Sequence, residues 1–205
     1  LAAVALFAAP QVGLAQQAGD VEVYRADRSG DADDPLYRAA YHGRLDEVVR
    51  LVEAGANPSR ISQGDGTALM AAARGGHLDV LPALLDAGAD PNTLVAGDGT
   101  ALIAAARHGR DAMVAALLEA GADPDLSVEG DGAALITAAH WNRVSIVDQL
   151  LAAGADVNLA VPRDGNPLIS AALAGHADMA QRLLDAGADP NGYVYRDAPP
   201  LITAA

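Results

Sequence analysis

The sequence predicts an all-α solenoid of helix-turn-helix units joined by β-hairpin-like fingers. One observation is a Gly-Ala pair that returns every 33 residues, beginning at Gly55, Gly88, Gly121, Gly154 and Gly187. A second is an Asp-Gly pair of the same period, beginning at Asp65, Asp98, Asp131 and Asp164, with Asp197 in the same phase. A fixed period of this length, with a turn and two short helices in each unit, is typical of a stacked repeat array.

The clearest unit runs from Asp98 to Asp123 and reads DGTALIAAARHGRDAMVAALLEAGAD. Across the units, a TALxxAAxxG start followed by a helix that ends in LLxAGADxN resembles the ankyrin repeat, TPLHxAAxxGHxxVVxLLLxxGADVN. The resemblance covers residues 33–205 and implies an ankyrin-repeat solenoid with five full units and a partial sixth. It also implies a protein–protein interaction module rather than an enzyme, because ankyrin arrays bind other proteins and perform no chemistry.

Each unit contains the signals that start and stop its helices. The first helix begins near Ala101 and breaks at Gly109, and the second runs from Asp111 to about Ala120 before Gly121 ends it in a left-handed conformation. The break residues are Gly43, Gly76, Gly109, Asn142 and Gly175. Asn tolerates a positive φ better than most non-glycine residues, so the Asn in this series supports the pattern.

Apolar residues that keep this phase predict the core. The first helices contribute Leu36, Leu69, Leu102, Leu135, Leu168 and Leu201. The second helices contribute the pairs Leu51-Val52, Leu84-Leu85, Leu117-Leu118, Leu150-Leu151 and Leu183-Leu184. Pro82 falls early in the second helix of its unit, so we expect that helix to begin late or to bend.

The residue after the first-helix Leu is apolar or Tyr where ankyrin units usually have His. The series is Tyr37, Met70, Ile103, Ile136, Ile169 and Ile202. The hydroxyl partner of that His is also absent at Ala133 and Pro199. We therefore expect apolar packing between units in place of the Thr–His hydrogen bonds of the family.

Two further rows lie in the fingers. The first contains Ser62, Val95, Val128, Val161 and Val194, which indicates either extended backbone pairing or an exposed apolar ridge. The second is the Asp row defined above, hereafter the Asp ladder. We expect these carboxylates to form turns and to cap helix N-termini, because Asp side chains accept hydrogen bonds from nearby backbone amides.

The N-terminal part differs in composition from the array. Residues 1–17 are strongly apolar and predict either a secretory signal peptide or the clipped end of a transmembrane helix; both interpretations export the array. Residues 18–32 form a polar linker in which Val21–Tyr24 alternates like a short strand. The expectation is a sequence cut at its front and at its back, where a polar capping repeat is missing.

Composition excludes several functions. The formal net charge is −14, which argues against binding to nucleic acid or to an anionic membrane surface; membrane association is expected only through the N-terminal apolar segment. The chain has no Cys, so disulfides, Cys-type zinc sites and thiol catalysis are excluded. No HExxH, catalytic triad or phosphate loop is present, and we expect no catalytic, cofactor or metal site.

A candidate binding strip lies at the ends of the first helices, where ankyrin arrays present contact residues on the concave face. This strip holds Tyr41, His42, Arg74, Arg107, His108, His140 and Trp141. Trp, Tyr and Arg are the residue types that dominate interface energies, so the strip predicts a protein or peptide partner with an acidic or aromatic-containing segment. The alternative is a set of scattered surface side chains. His77 and His176 follow the break glycine and are expected to be structural.

Three functional interpretations follow. The first is an exported, monomeric protein-binding array in the periplasm or outside the cell. The second is the sensor or docking tail of a membrane-bound zinc metallopeptidase that resembles the β-lactam-sensor type, with its catalytic residues outside this sequence. The third is a purely structural spacer.

Overall fold

The computed structural model describes residues 15–18, 21–24, 34–62 and 65–192. Most of the apolar run at 1–17 and most of the linker lie outside these residues. So does the partial sixth unit, with the predicted positions Val194, Asp197 and Leu201.

Five helix pairs follow one another along the described chain. The first helices are α1 (Pro35–Tyr41), α3 (Ala68–Gly75), α5 (Ala101–Arg107), α7 (Ala134–His140) and α9 (Pro167–Leu173). The second helices are α2 (Leu45–Glu53), α4 (Leu81–Asp86), α6 (Asp111–Glu119), α8 (Val144–Ala152) and α10 (Ala177–Asp185). The predicted helix-turn-helix units are therefore present. None of the helices in the described ranges is long and apolar enough to cross a membrane.

Helix α4 confirms the late start predicted from Pro82. A 3-10 turn at Leu78–Val80 precedes it, and the α-helix itself begins only at Leu81. The proline thus lies in the first turn, where its missing N–H has no intrahelical partner to lose.

The turn and end residues adopt the predicted left-handed conformation. Asn142, at the break of its unit, has a φ of 54°, and Gly121, after α6, has a φ of 86°. A β-branched side chain would be strained at either place, which explains why the pattern admits Gly or Asn there.

Short antiparallel pairs build the fingers. Strand β3 (Ile61–Ser62) pairs with β4 (Gly66–Thr67), and β6 (Ser127–Val128) pairs with β7 (Gly132–Ala133). Single bridges join Val95 to Gly99 and Val161 to Gly165. Extended pairing is thus the correct alternative for the finger row. Within the described residues this row is not an exposed ridge, because Ser62, Val95 and Val161 are buried and Val128 is half-buried.

The N-terminal segment contributes two strands of its own. Strand β1 (Ala15–Ala18) pairs antiparallel with β2 (Val21–Tyr24), which confirms the strand predicted from alternation. Strand β2 then pairs in parallel with β5 (Leu94–Val95), so the sheet order is β1-β2-β5. Part of the predicted linker is therefore joined to the array.

The core follows the predicted first-helix row closely. Leu36, Leu69, Leu102, Leu135 and Leu168 are each at most 4% exposed. In the second helices the first member of each pair is buried from α4 onward, while the second member is only half-buried. In α2 both members are half-buried and Val48 is the buried residue. Burying a Leu contributes about 1.5–3 kcal/mol, so the repeated row accounts for much of the stability.

Buried apolar side chains occupy the positions where ankyrin units usually have the His of the Thr–His hydrogen bonds, as expected. Met70, Ile103, Ile136 and Ile169 are buried at the position that follows the first-helix Leu. The threonines that remain cap helices instead, since Thr67 and Thr100 accept hydrogen bonds from the amides of Met70 and Ile103 at 3.3 and 3.1 Å.

The expectation that the Asp ladder caps helix N-termini is wrong. The cap residues are Asp34, Thr67, Thr100, Ala133 and Asn166. In four units these lie two residues after the ladder position, which is too late for the ladder carboxylate to reach the first turn. The carboxylates instead cross to the preceding finger: Asp131 accepts from the Gly97 amide at 2.8 Å and Asp164 from the Gly130 amide at 2.6 Å.

The two helix rows differ in composition and in packing. The first helices are Ala-rich, with Ala104, Ala105 and Ala106 nearly fully buried in α5. Small side chains permit close approach, and successive first helices do pack more closely than successive second helices.

Candidate partner-binding face

The ends of the first helices bring the seven predicted site residues onto one face. Tyr41, Arg107 and His140 are the last residues of α1, α5 and α7. The neighbouring positions His42, His108 and Trp141 are the C-caps of those helices, and Arg74 lies in the last turn of α3. Because the units repeat, the seven residues occupy repeated positions at the ends of the first helices across four units.

The aromatic members of this strip are exposed. Tyr41 is 46% exposed and Trp141 is 51% exposed, and His42, His108 and His140 are exposed as well. The rings meet edge to face in two pairs, Tyr41 with His42 and His140 with Trp141, each with centroids 5.3 Å apart. Leu173 continues the row at α9 and is 66% exposed. Large apolar side chains at such exposure mark an interaction surface when they are contiguous.

Arg74 faces the scaffold rather than solvent. Its guanidinium forms an ion pair with Asp98 of the next unit and donates to the Tyr37 hydroxyl at 3.0 Å and to the Asp65 carbonyl at 2.9 Å. Burial raises the pKa of the Tyr37 hydroxyl, and the nearby Arg74 charge only partly opposes this. Burial alone would lower the pKa of Arg74, but its interactions with Tyr37 and with the Asp98 carboxylate outweigh burial and raise that pKa.

Arg107 repeats this arrangement one unit later, with a looser contact. Its guanidinium lies 3.6 Å from the carboxylate of Asp131, whose side chain is 7% exposed. Burial raises the pKa of Asp131, against the opposing effects of the Gly97 amide and of Arg107. Asp98 and Asp131 each face an Arg of a first helix, and the positive charges of these arginines therefore balance the negative charges of the two carboxylates.

His108 lies among several guanidinium groups. Burial lowers its pKa first, and the positive charges of Arg110, Arg74, Arg107 and Arg143 lower it further. The exposed imidazole therefore favours its neutral form, which can donate and accept a hydrogen bond at the surface.

A groove of about 260 Å³ opens beside Trp141. It is lined by Arg107, Gly130, Asp131, Gly132, Ile136, Thr137, His140, Trp141, Asp164 and Ser170. Three of the predicted residues meet here, namely Arg107, His140 and Trp141. The sequence pattern did not identify the acidic and small residues of the groove as part of the site. The period of the Asp ladder nevertheless assigns Asp164 to the unit that follows His140.

The family profile described as Ankyrin repeats (3 copies) matches residues 14–95, 36–128, 92–161 and 127–194, overlapping stretches that cover most of the chain. The chain belongs to the ankyrin-repeat family. The ankyrin array is similar to the crystal structure of the human ASB11 ankyrin repeat domain, with a TM-score of 0.72 and 30% sequence identity. That match covers 84% of this chain and 77% of the ASB11 chain. No curated protein sequence matches.

Ankyrin repeats are in general protein–protein interaction modules, and ankyrin domains are typically scaffolds without catalytic activity. Among the described residues of this array, no group of three His, Asp or Glu side chains is placed to hold a metal ion.

Two of the five His residues are structural, as predicted. The His77 ring lies 3.0 Å from the carbonyl of Tyr41, and the His176 ring lies 3.0 Å from the carbonyl of His140. Arg110 occupies the same phase and donates to the carbonyl of Arg74 at 3.1 Å. These bonds join the start of a second helix to the end of the first helix of the preceding unit, so they fix the helix ends that carry the strip.

Proposed function

We propose that this ankyrin array binds a partner protein on its concave face, through the exposed aromatic side chains at the ends of the first helices. The observation that carries the proposal is the exposure of Tyr41, Trp141 and Leu173 at the ends of the first helices, since these are the three most exposed large apolar side chains among the described residues. Interfaces gain most of their energy from a few large aromatic side chains at their centre.

The predicted acidic partner has less support than an aromatic-anchored one. Arg74 and Arg107 were the main reason to expect acidic ligands, and both form ion pairs with Asp98 and Asp131 within the array. A partner carboxylate would compete with these internal carboxylates and would meet a protein of net charge −14. The proposed face therefore offers rings and histidines rather than free positive charge.

Site-specific photo-crosslinking tests this face. A benzoylphenylalanine placed at Trp141 or His108 should crosslink a partner in extracts of the source cells. The same group at Glu119, an exposed residue of α6 on the opposite helix row, should not. The double variant Tyr41→Ala, Trp141→Ala is expected to lose the partner in a pull-down while its circular dichroism spectrum is unchanged. Equal crosslinking from Glu119 would contradict the proposal.

We also propose that the array works outside the cytoplasm. Support comes from the apolar run of residues 1–17, with small residues before Gln16. Residues 1–20 fused to alkaline phosphatase that lacks its own signal should give periplasmic phosphatase activity. A cleaved fusion would indicate a signal peptide and an uncleaved membrane-bound one an anchor, whereas an inactive cytoplasmic fusion would contradict export.

A further inference from the structure

Two ion pairs of the array follow one rule, in which an Arg at the end of a first helix pairs with an Asp of the next finger. The rule does not hold in the fourth unit. Arg74 pairs with Asp98, and Arg107, one period later, pairs with Asp131. One period further the chain has His140 in place of Arg, opposite Asp164. Asp164 accepts from the Gly130 amide at 2.6 Å, and no ion pair to it occurs within residues 34–62 and 65–192.

The groove at this place has the chemistry of a cation site. Asp131 and Asp164 both line the groove, and Arg107 is the single guanidinium in this lining. Two negative charges therefore meet one positive charge, and the groove has a net negative charge. Trp141 forms part of the same lining and is 51% exposed, so about half of this residue is accessible to a ligand. A cation over a Trp ring is attracted by the electrons of the ring, and a carboxylate nearby adds to this attraction.

We propose that the Trp141 groove binds an arginine side chain of the partner protein. Arginine fits because the array itself fills the equivalent place with Arg74 and Arg107 in the two preceding units. Its planar guanidinium stacks on an aromatic ring and donates to a carboxylate at the same time, which the compact ammonium of lysine does less well. The inference rests on the proposed binding face and names the partner chemistry at one point of it.

A titration with N-acetyl-arginine amide tests this directly, because Trp141 is the only Trp of the chain and its fluorescence reports the groove. The response should be saturable, with a dissociation constant on the order of millimolar for a single side chain. N-acetyl-citrulline amide has the same shape without the charge and should give no saturable response. Ionic strength is held constant with NaCl, because exposed charges are screened by salt.

Two variants examine the groove itself. Asp164→Asn should weaken the arginine response about fivefold or more, because it removes the unpaired carboxylate. His140→Arg should abolish the response, since its guanidinium would reach Asp164 as Arg107 reaches Asp131. Glu119→Gln is the matched control, an exposed carboxylate on α6, and should respond like the wild type.

The inference is wrong if arginine and citrulline amides give the same response, or if Asp164→Asn and His140→Arg bind arginine amide like the wild type. The photo-crosslinking experiment separates this failure from that of the proposed function. Crosslinks at Trp141 without an arginine response would leave the binding face in place with another chemistry. The loss of both would remove the face as well.

Discussion

Two junctions of the same repeat show how this array separates scaffold from surface. At the junction of α3 with the following finger, Arg74 reaches Asp98, and both side chains are at most 19% exposed. At the junction of α7 with its finger, His140 leaves Asp164 without an ion pair, and a groove opens beside the exposed Trp141. Both junctions belong to the same repeat, but His140 and Trp141 occupy the positions that Arg74 and Gly75 hold at the closed junction, so two changes of side chain decide whether the face is closed or open.

We propose that this difference is where binding specificity arises in this chain. A closed junction offers little to a partner, because its charges are already satisfied and largely out of water. An open junction leaves a carboxylate and an aromatic ring accessible within a fixed frame. The frame is costly to alter, whereas the residues at helix ends vary without disturbing the core.

The largest effect should come from breaking the scaffold on which both junctions depend. Leu117, fully buried in α6, should not tolerate Arg: we expect a loss of more than about 4 kcal/mol in the free energy of unfolding, because a charge enters the core between two unit interfaces. Leu173→Arg, at a position that is 66% exposed, should stay within about 0.5 kcal/mol. Urea unfolding followed by circular dichroism measures both, and equal midpoints for the two variants would contradict the packing described above.

The next effect should distinguish the closed junction from the open one. Asp98→Asn removes the partner of the partly buried Arg74 and should cost about 2–3 kcal/mol. Asp164→Asn keeps an oxygen for the Gly130 amide and loses no ion pair, so it should cost less than about 1 kcal/mol. The comparison of junctions fails if chemical denaturation gives the same loss for the two substitutions.

A smaller effect of opposite sign should follow from closing the open junction. His140→Arg restores the Arg–Asp rule at Asp164 and should stabilise the array by about 0.5–1 kcal/mol, since the new pair is only partly shielded from water. Differential scanning calorimetry at low and high salt would check this. The gain should shrink as salt rises, and a destabilised variant would show that the groove cannot hold an internal guanidinium.

The smallest effect concerns pH at the Arg-rich part of the strip. The pKa of His108 is lowered in the folded array, by burial and then by four arginines, so the unfolded chain takes up a proton first as pH falls. Stability contributed by neutral His108 is therefore present above its unfolded pKa and is lost as pH falls toward the folded value. Between about pH 7.5 and about pH 5, His108→Asn should lose less free energy of unfolding than the wild type loses. The difference between the two should be under about 0.5 kcal/mol, because surface charges are screened. Identical pH profiles from urea titrations would exclude this coupling.

The repeat pattern predicted most of the fold because each rule behind it is local. The left-handed break at Asn142, the late start of α4 at Pro82 and the end of α6 at Gly121 all follow from backbone sterics near one residue. The buried row through Leu69, Leu102 and Leu135 followed from phase alone, since identical units bury the same face.

The Asp ladder shows where such local rules fail. Asp is a good helix cap in isolation, but Gly132 and Ala133 separate Asp131 from the start of α7 at Ala134. Its carboxylate instead meets Gly97 of the preceding finger and Arg107 of the preceding helix. These partners are 34 and 24 residues away, so their contact depends on how the units stack.

The candidate site divides in the same way. Sequence phase placed Tyr41, Arg107 and Trp141 on one strip, because repeated units present equivalent positions on one face. Only the tertiary structure decided that Arg74 and Arg107 are engaged inside the array while the aromatic rings remain exposed. The period and the types of residue are properties of the chain, but the distance between a guanidinium and a carboxylate in neighbouring units is set by their packing.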